Sequence, residues 1–312
     1  MPYLFVHFRE KATPDGEQVH FAVSRNGFSW ESLAGGNPIV TSDIGERGVR
    51  DMAICRTCNN EFVILATDLS LANNLNSVYH GSWGEIKKNG SHQLIKWTSK
   101  NLLDWSAAEG IEVGAASAGC VWAPDVLFDQ KKGEYLIHWS SPEKASADGR
   151  FVIYYTYTKD FNSFSPPEIL YQVEEVGVID SALYEIEGRF YLFFKQESQP
   201  TGTRLLTADQ ITGPFQVEAA FENALSHLKG QAYEAPTAAC LEDGRWYLFL
   251  DYYGSQTAAG QGYVPFVTED IKSGRFHEDK KNLDFPYGFK HGSILEISEE
   301  EYLGLTARFG TV

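Results

Sequence analysis

Val178-Ile-Asp-Ser-Ala-Leu-Tyr-Glu-Ile-Glu-Gly-Arg-Phe-Tyr-Leu-Phe-Phe-Lys195 sets a pattern that the rest of the chain repeats. An apolar run carries one carboxylate, Asp180, and a Glu-Gly turn leads into a second run rich in aromatics. Short continuous apolar runs bounded by turn residues are the signature of buried β-strands. A charge inside such a strand is costly to desolvate, so Asp180 must have a partner or a task.

The second half of this unit recurs as Asn60-Glu-Phe-Val-Ile-Leu-Ala-Thr67, Gly133-Glu-Tyr-Leu-Ile-His-Trp139 and Gly244-Arg-Trp-Tyr-Leu-Phe-Leu250, with Tyr135, Tyr191 and Tyr247 at intervals of 56 residues. A third run, ending in a polar turn and an aromatic, begins near Val19, Leu94, Val152, Arg204 and Gly262. Each unit opens with a strand bearing one polar residue: Asp51, Asp125, Asp180, Glu234 or His291. Five radially arranged units of about four strands make a β-propeller, an all-β fold with the first strands lining a central channel. Tyr3–Phe8 has no unit of its own and is expected to pair with the C-terminal residues, closing the ring and removing exposed strand edges. No helix of consequence is expected, residues 69–91 read as a long loop at one mouth, and residues 1–312 read as a single five-bladed domain.

The 312 residues are 43% hydrophobic and 14% aromatic, enough for a sizeable core. A net charge of −16 with no Lys/Arg-rich block makes nucleic acid and anionic membranes poor partners. No apolar run approaches the length of a membrane span, and the N-terminus lacks the layout of a signal peptide, so the chain reads as cytoplasmic. Cys55-Arg-Thr-Cys58 is a lone pair without further metal-ligand spacing, and all four cysteines read as reduced structural residues.

Residues heading the innermost strands of a propeller converge at one end of its axis. Asp51, Asp180 and Glu234 would then share a catalytic pocket at one mouth of the channel. Two carboxyl groups flanking a sugar are what glycoside hydrolysis requires: one protonated to assist the leaving oxygen, the other ionised to activate water. A third nearby carboxylate raises the acid's pKa by like-charge repulsion. The alternative use of such acids is to cap strands and bind buried amides.

On the motifs Gly48-Val-Arg-Asp51, Trp122-Ala-Pro-Asp125, Val178-Ile-Asp180-Ser, Tyr233-Glu234-Ala-Pro and Lys290-His291-Gly-Ser, the whole chain resembles glycoside hydrolase family 43, the arabinofuranosidase and β-xylosidase propellers. The resemblance implies an inverting hydrolase with Asp51 as general base, Asp180 as pKa modulator and orienter, and Glu234 as general acid. It implies a structural or supporting role for Asp125. The chain departs from the family pattern at Met52 and Ser181, where proline is usual. His291 matches the family's channel histidine, which binds a central water or a cation such as Ca2+, or orients the acids; a satisfied core histidine is the other reading. No cofactor is required by the chemistry. Arg50 either contacts substrate hydroxyls or neutralises the acids. Trp122, Tyr233 and Trp83 are candidate sugar-stacking surfaces, with core packing as the alternative for each.

Fructan hydrolases of the related clan need an N-terminal Asn-Asp-Pro nucleophile motif, which is absent. Glycoside phosphorylases need a basic cluster near the acid, and the sequence around Glu234 is not basic. A non-catalytic sugar-binding propeller has no use for three acids in this arrangement. The expected substrate is a short plant-polysaccharide oligosaccharide losing a terminal α-L-arabinofuranosyl or, second, β-D-xylosyl residue. Galactosidase and arabinanase activities are the alternatives within the family.

Overall fold

In the computed structural model, which describes residues 1–10, 12–143, 149–255, 260–279, 285–286 and 288–312, every repeat folds as an antiparallel four-stranded sheet. The first blade begins with β1 (Tyr3–Arg9), β2 (His20–Ser24) and β3 (Glu31–Ser32). The second is β4 (Val49–Arg56), β5 (Phe62–Asp68), β6 (Gln93–Ser99) and β7 (Glu109–Glu112). The third is β8 (Trp122–Asp129), β9 (Glu134–Pro142), β10 (Phe151–Thr158) and β11 (Glu168–Tyr171). The fourth is β12 (Val178–Ile186), β13 (Arg189–Gln196), β14 (Gly202–Ala208) and β15 (Gln216–Val217). The fifth is β16 (Tyr233–Cys240), β17 (Trp246–Tyr252), β18 (Gly262–Thr268) and β19 (His277–Glu278). β20 (Phe289–Glu296) returns to the first blade as its innermost strand and pairs with β1, Leu4 opposite Leu295 and Phe5 opposite Ile294. The N-terminal strand thus closes the ring as expected, but it is no orphan: it is the second strand of the blade that carries His291.

The five innermost strands pack in a closed cycle, β4 to β8 to β12 to β16 to β20 and back to β4. The central runs of the second strands are mostly apolar because both faces are covered. Alternate side chains of a strand point to opposite faces, and each face of β13 meets a different blade. Leu192 and Phe194 pack with Leu136 and Ile153 of the third blade, while Tyr191 and Phe193 pack with Leu248 and Phe266 of the fifth.

The polar turn after the third strand has a local cause in three of the blades. Ser24 Oγ accepts from Gly27 N at 2.8 Å and Asn26 Oδ1 from Phe28 N at 2.9 Å. Ser99 with Asn101, and Thr158 with Asp160, repeat this arrangement. Side chains of this length bind amides two or three residues ahead and so fix a turn. Trp30 Nε1 and Trp105 Nε1 then donate back to Gly27 O and Leu102 O, folding the aromatic onto the turn.

Two expectations are corrected. Residues 69–91 include two short helices, α1 (Leu71–Asn74) and α2 (Trp83–Asn89), capped by Ser70 and Ser82. After α3 (Ala219–Ala224), α4 (Glu299–Phe309) runs eleven residues from a Ser298/Glu301 capping box. Tyr302 and Leu305 seal the core between the first and second blades, and Arg56 clasps Glu301 at 2.7 Å. No described helix is long and apolar enough to cross a membrane. All four cysteines are free.

Candidate active site

Each innermost strand carries a β-bulge in which two residues oppose one on its neighbour. The pairs are Asp51-Met52, Ala123-Pro124, Asp180-Ser181, Ala235-Pro236 and His291-Gly292. Bulges bend a strand and re-aim its side chains. The first bulge residue has left-handed backbone in four blades, with φ of 53° at Asp51, 49° at Ala123, 53° at Asp180 and 52° at Ala235. Side-chain-bearing residues reach this region at a cost of about 1–2 kcal/mol each, and such strain gathers at functional sites.

This register sorts the candidates by depth. Asp51, Asp180 and His291 occupy the same position on three blades. Glu234 lies one residue before its bulge, level with Arg50, Trp122 and Lys290. Asp125 lies beyond its bulge, one layer further down the channel. There its Oδ2 accepts from Leu183 N at 3.0 Å and stands 3.5 Å from His138 Nε2. Proline occupies the second bulge position on only two blades. At the departures from the family pattern, Met52 fills the core and Ser181 Oγ meets His138 Nδ1 at 2.8 Å, and the bulge is kept in both.

Asp51 is held by two groups. His291 Nδ1 stands 3.2 Å from Oδ1, and Thr67 Oγ1 donates to Oδ2 at 3.0 Å. Burial alone would raise the Asp51 carboxyl. The positive charges of His291 and Arg50 and the Thr67 bond outweigh it and bring it below the usual carboxylate range. The same pairing works on the imidazole. Burial disfavours its charge, but Asp51, then Asp180 and Glu234, raise His291 to about 9. Asp180 behaves oppositely to Asp51: burial, with the charge of Glu234 added, raises it to about 6 even though His291 and Lys195 pull the other way. The innermost strands therefore bring together one carboxylate kept ionised and another pushed toward holding a proton.

Glu234 corrects an expectation. Its surroundings are basic: Lys195 Nζ donates to Oε2 at 2.9 Å, and Lys290 Nζ stands 3.9 Å from Oε1. Lys290 is in turn 2.7 Å from the fully buried Asp251, whose carboxyl burial raises to about 6 despite that ammonium. Each cation thus has its own carboxylate.

These contacts belong to a ring of interactions between blades. The second-strand residue opposite the pre-bulge position reaches the innermost strand of the next blade in every case. The Phe8 ring lies 4.6 Å from the Arg50 guanidinium. Thr67 Oγ1 accepts from Ala123 N at 2.8 Å, and Ser140 Oγ from Asp180 N at 3.2 Å. Lys195 holds Glu234 and Asp251 holds Lys290. The sequence reading missed this outer ring. Its signal was present in Lys195 and Asp251, charges closing the otherwise apolar second-strand runs.

The remaining candidates divide. Tyr233 does not face the mouth: it is 6% exposed and packed against Tyr252 and Phe266, because strand alternation turns it into the core when Glu234 faces the channel. Trp122 is half-buried, stacked on Phe151 at 5.1 Å and met edge-on by the exposed Trp83 of α2 at 6.0 Å. The connection carrying Trp83 leaves β5 beside Val49, at the end of the ring where Asp51 lies. Tyr253, just past β17, is 36% exposed and lies over Lys195, 4.8 Å from Nζ to ring centroid. Among the described residues no group of three or more His, Cys, Asp or Glu is arranged to hold an ion.

The profile of a family described as "Probable glycosyl hydrolase domain", related to glycoside hydrolase family 43, matches residues 1–303. A curated α-L-arabinofuranosidase of Bifidobacterium longum subsp. longum is 26% identical over 189 residues, 54% of this chain and 17% of that protein. The chain therefore spans less than a fifth of that relative's length. Among solved structures, xylan β-1,4-xylosidase from Bacillus halodurans aligns over 96% of this chain and 56% of its own, with a TM-score of 0.63 at 14% identity. A family 43 β-1,3-galactosidase solved with galactodeoxynojirimycin aligns over 90% and 91%, with a TM-score of 0.61 at 11% identity. The likeness to the solved structures is one of fold. The match over nearly the whole length carries the assignment: the chain belongs to the glycosyl hydrolase domain family related to glycoside hydrolase family 43.

Proposed function

We propose that this glycoside hydrolase is an inverting exo-enzyme that removes a terminal pentose, an α-L-arabinofuranosyl residue before a β-D-xylosyl one, from short oligosaccharides. The glycone binds in a pocket at the channel mouth bounded by Asp51, Asp180 and Glu234. The observation that carries this reading is the pairing of an ionised, histidine-held Asp51 with a second carboxyl group, Glu234, reached from a non-adjacent blade.

Asp51 takes the proton from a water molecule as that water attacks the anomeric carbon. Glu234, in its protonated form, gives its proton to the departing glycosidic oxygen as the bond to the anomeric carbon breaks. Asp180, raised to about 6 by burial and the charge of Glu234, is the third carboxyl group of the pocket and orients the acid. His291 holds Asp51 ionised and fixes its orientation. Arg50 adds positive charge beside the base, and Trp122 offers a ring face to the sugar.

The arabinofuranosidase named among the relatives supports the choice of glycone. The test is release of nitrophenol from aryl α-L-arabinofuranoside, β-D-xyloside and β-D-galactoside, with Asp51→Asn as control. Turnover of the arabinofuranoside that vanishes in the control is the expected result. Folded protein silent on all three, or turnover that survives Asp51→Asn, would overturn the assignment.

A further inference from the structure

We propose that Lys195 is a positioning residue that dictates which oxygen of Glu234 carries the catalytic proton, acting from the fourth blade on the acid of the fifth. The proposal rests on Glu234 being the general acid. A carboxyl group has two oxygens, and only one can deliver a proton to a leaving group in a fixed place. An ammonium has protons to donate and no lone pair to accept with. The oxygen it holds therefore cannot also carry the proton without setting two donors against each other. Lys195 Nζ holds Oε2 at 2.9 Å, which leaves Oε1 as the protonated oxygen. Lys290 is 3.9 Å from Oε1, beyond hydrogen-bond reach, and is drawn away by Asp251 at 2.7 Å.

Lys195 is well placed for this task. Its register partner is Ile179, beside the bulge at Asp180, so the β12–β13 ladder sets its backbone position. Lys195 is buried, and the Tyr253 ring lies 4.8 Å from its Nζ. Burial opposes its charge, but Glu234 and Asp180 raise Lys195 above the ordinary lysine range, so it stays an ammonium throughout the working pH range. The charged and titratable groups around the pair include Asp180 from β12, Asp251 from β17 with Tyr253 beyond it, Tyr263 from β18, Lys290 and His291 from β20, Glu10 beside Lys290, and Asp51 from β4.

The test uses Lys195→Met, and Lys195→Gln to keep a hydrogen-bond donor without the charge. The glycone identified by the aryl panel is presented as a disaccharide and as a nitrophenyl glycoside. Misdirected protonation matters most where the leaving group needs it. Both variants should lose on the order of tenfold or more in kcat/KM on the disaccharide, as a fraction of what a general acid supplies, and much less on the aryl glycoside. Removing the ammonium beside the acid also moves the alkaline limb of the pH profile upward. In a Glu234→Ala background Lys195→Met should add no further loss, the signature of coupled residues. Equal losses on both substrates with an unmoved alkaline limb would show that Lys195 only stabilises the fold, and would overturn the proposal. Absence of leaving-group dependence in Glu234→Ala itself would instead remove Glu234 from the acid role, and the proposal with it.

Discussion

Replacing His291 by Gln should shift the acid limb of the kcat/KM–pH profile upward by about 1 pH unit. The magnitude follows from the imidazole itself. Asp51, Asp180 and Glu234 raise it from 6.5 to about 9 against the cost of its burial. At 1.36 kcal/mol per pH unit, that net shift is worth about 3 kcal/mol. Coupling between two charges is reciprocal. Asp51, 3.2 Å away, contributes most, so a third to a half of the coupling reappears as stabilisation of its carboxylate. Without it the burial of Asp51 is no longer outweighed, because the neutral Thr67 bond and Arg50 remain but the imidazolium does not. Glutamine keeps a donor near the same place, which separates charge from hydrogen bonding.

The assay is initial rates on the preferred aryl glycoside from pH 3 to 9, for wild type and His291→Gln. An aryl leaving group keeps the acid's contribution small. A profile lowered at every pH with its acid limb unmoved would refute the claim that His291 acts by holding Asp51 ionised. The same coupling has a sign in stability. His291 is raised on folding, so its contribution is fully present below pH 6.5 and is lost as pH rises through about 9. His291→Gln should remove that slope from the thermal unfolding midpoint.

Two other changes test the frame around the site. Gly292→Ala should destabilise the protein by at least about 1–3 kcal/mol, because overpacking against main chain cannot be relieved by a rotamer change: the added Cβ would lie 2.0 Å from Val6 O and 2.9 Å from His7 Cα. An unchanged midpoint would mean the bulge at the ring closure is not as tight as described. His7 and His20 lie stacked in the same blade, and burial lowers His7 well below 6.5 and His20 to about 4. Their contribution is present above pH 6.5 and falls away as pH drops through about 4, so His20→Phe should flatten acid denaturation in that window. A denaturation curve that keeps its slope would exclude His20 as a source of it.

The propeller was legible because its second strands are apolar on both faces, a consequence of blades packing on either side, and because the turn chemistry of Ser24-Arg-Asn26 recurs blade after blade. The polar residues of the innermost strands were legible for the same reason: Asp51, Asp180, Glu234 and His291 stand out against apolar runs. Their relative depth was not. A one-residue offset about a bulge separates Glu234 from Asp180 and drops Asp125 a layer below, and the pairing that shows this is formed between strands. Tyr233 was misplaced by the same alternation that puts Glu234 in the channel. Lys195 and Lys290 look remote from Glu234 along the chain because their contacts run from one blade to the next. The helix α4 had its Ser298-Glu-Glu-Glu301 cap in plain sight, but only Tyr302 and Leu305 of its residues are buried, too few to mark an apolar stripe.

The division of labour between Asp51 and Glu234 is tested most directly by Glu234→Ala on two substrates sharing one glycone, a nitrophenyl glycoside and a disaccharide. If Glu234 is the proton donor, activity on the disaccharide should fall by about 10²–10⁴-fold while the aryl glycoside, whose leaving group needs little protonation, retains far more. Asp51→Ala should abolish both. Equal losses on the two substrates for Glu234→Ala would contradict the account.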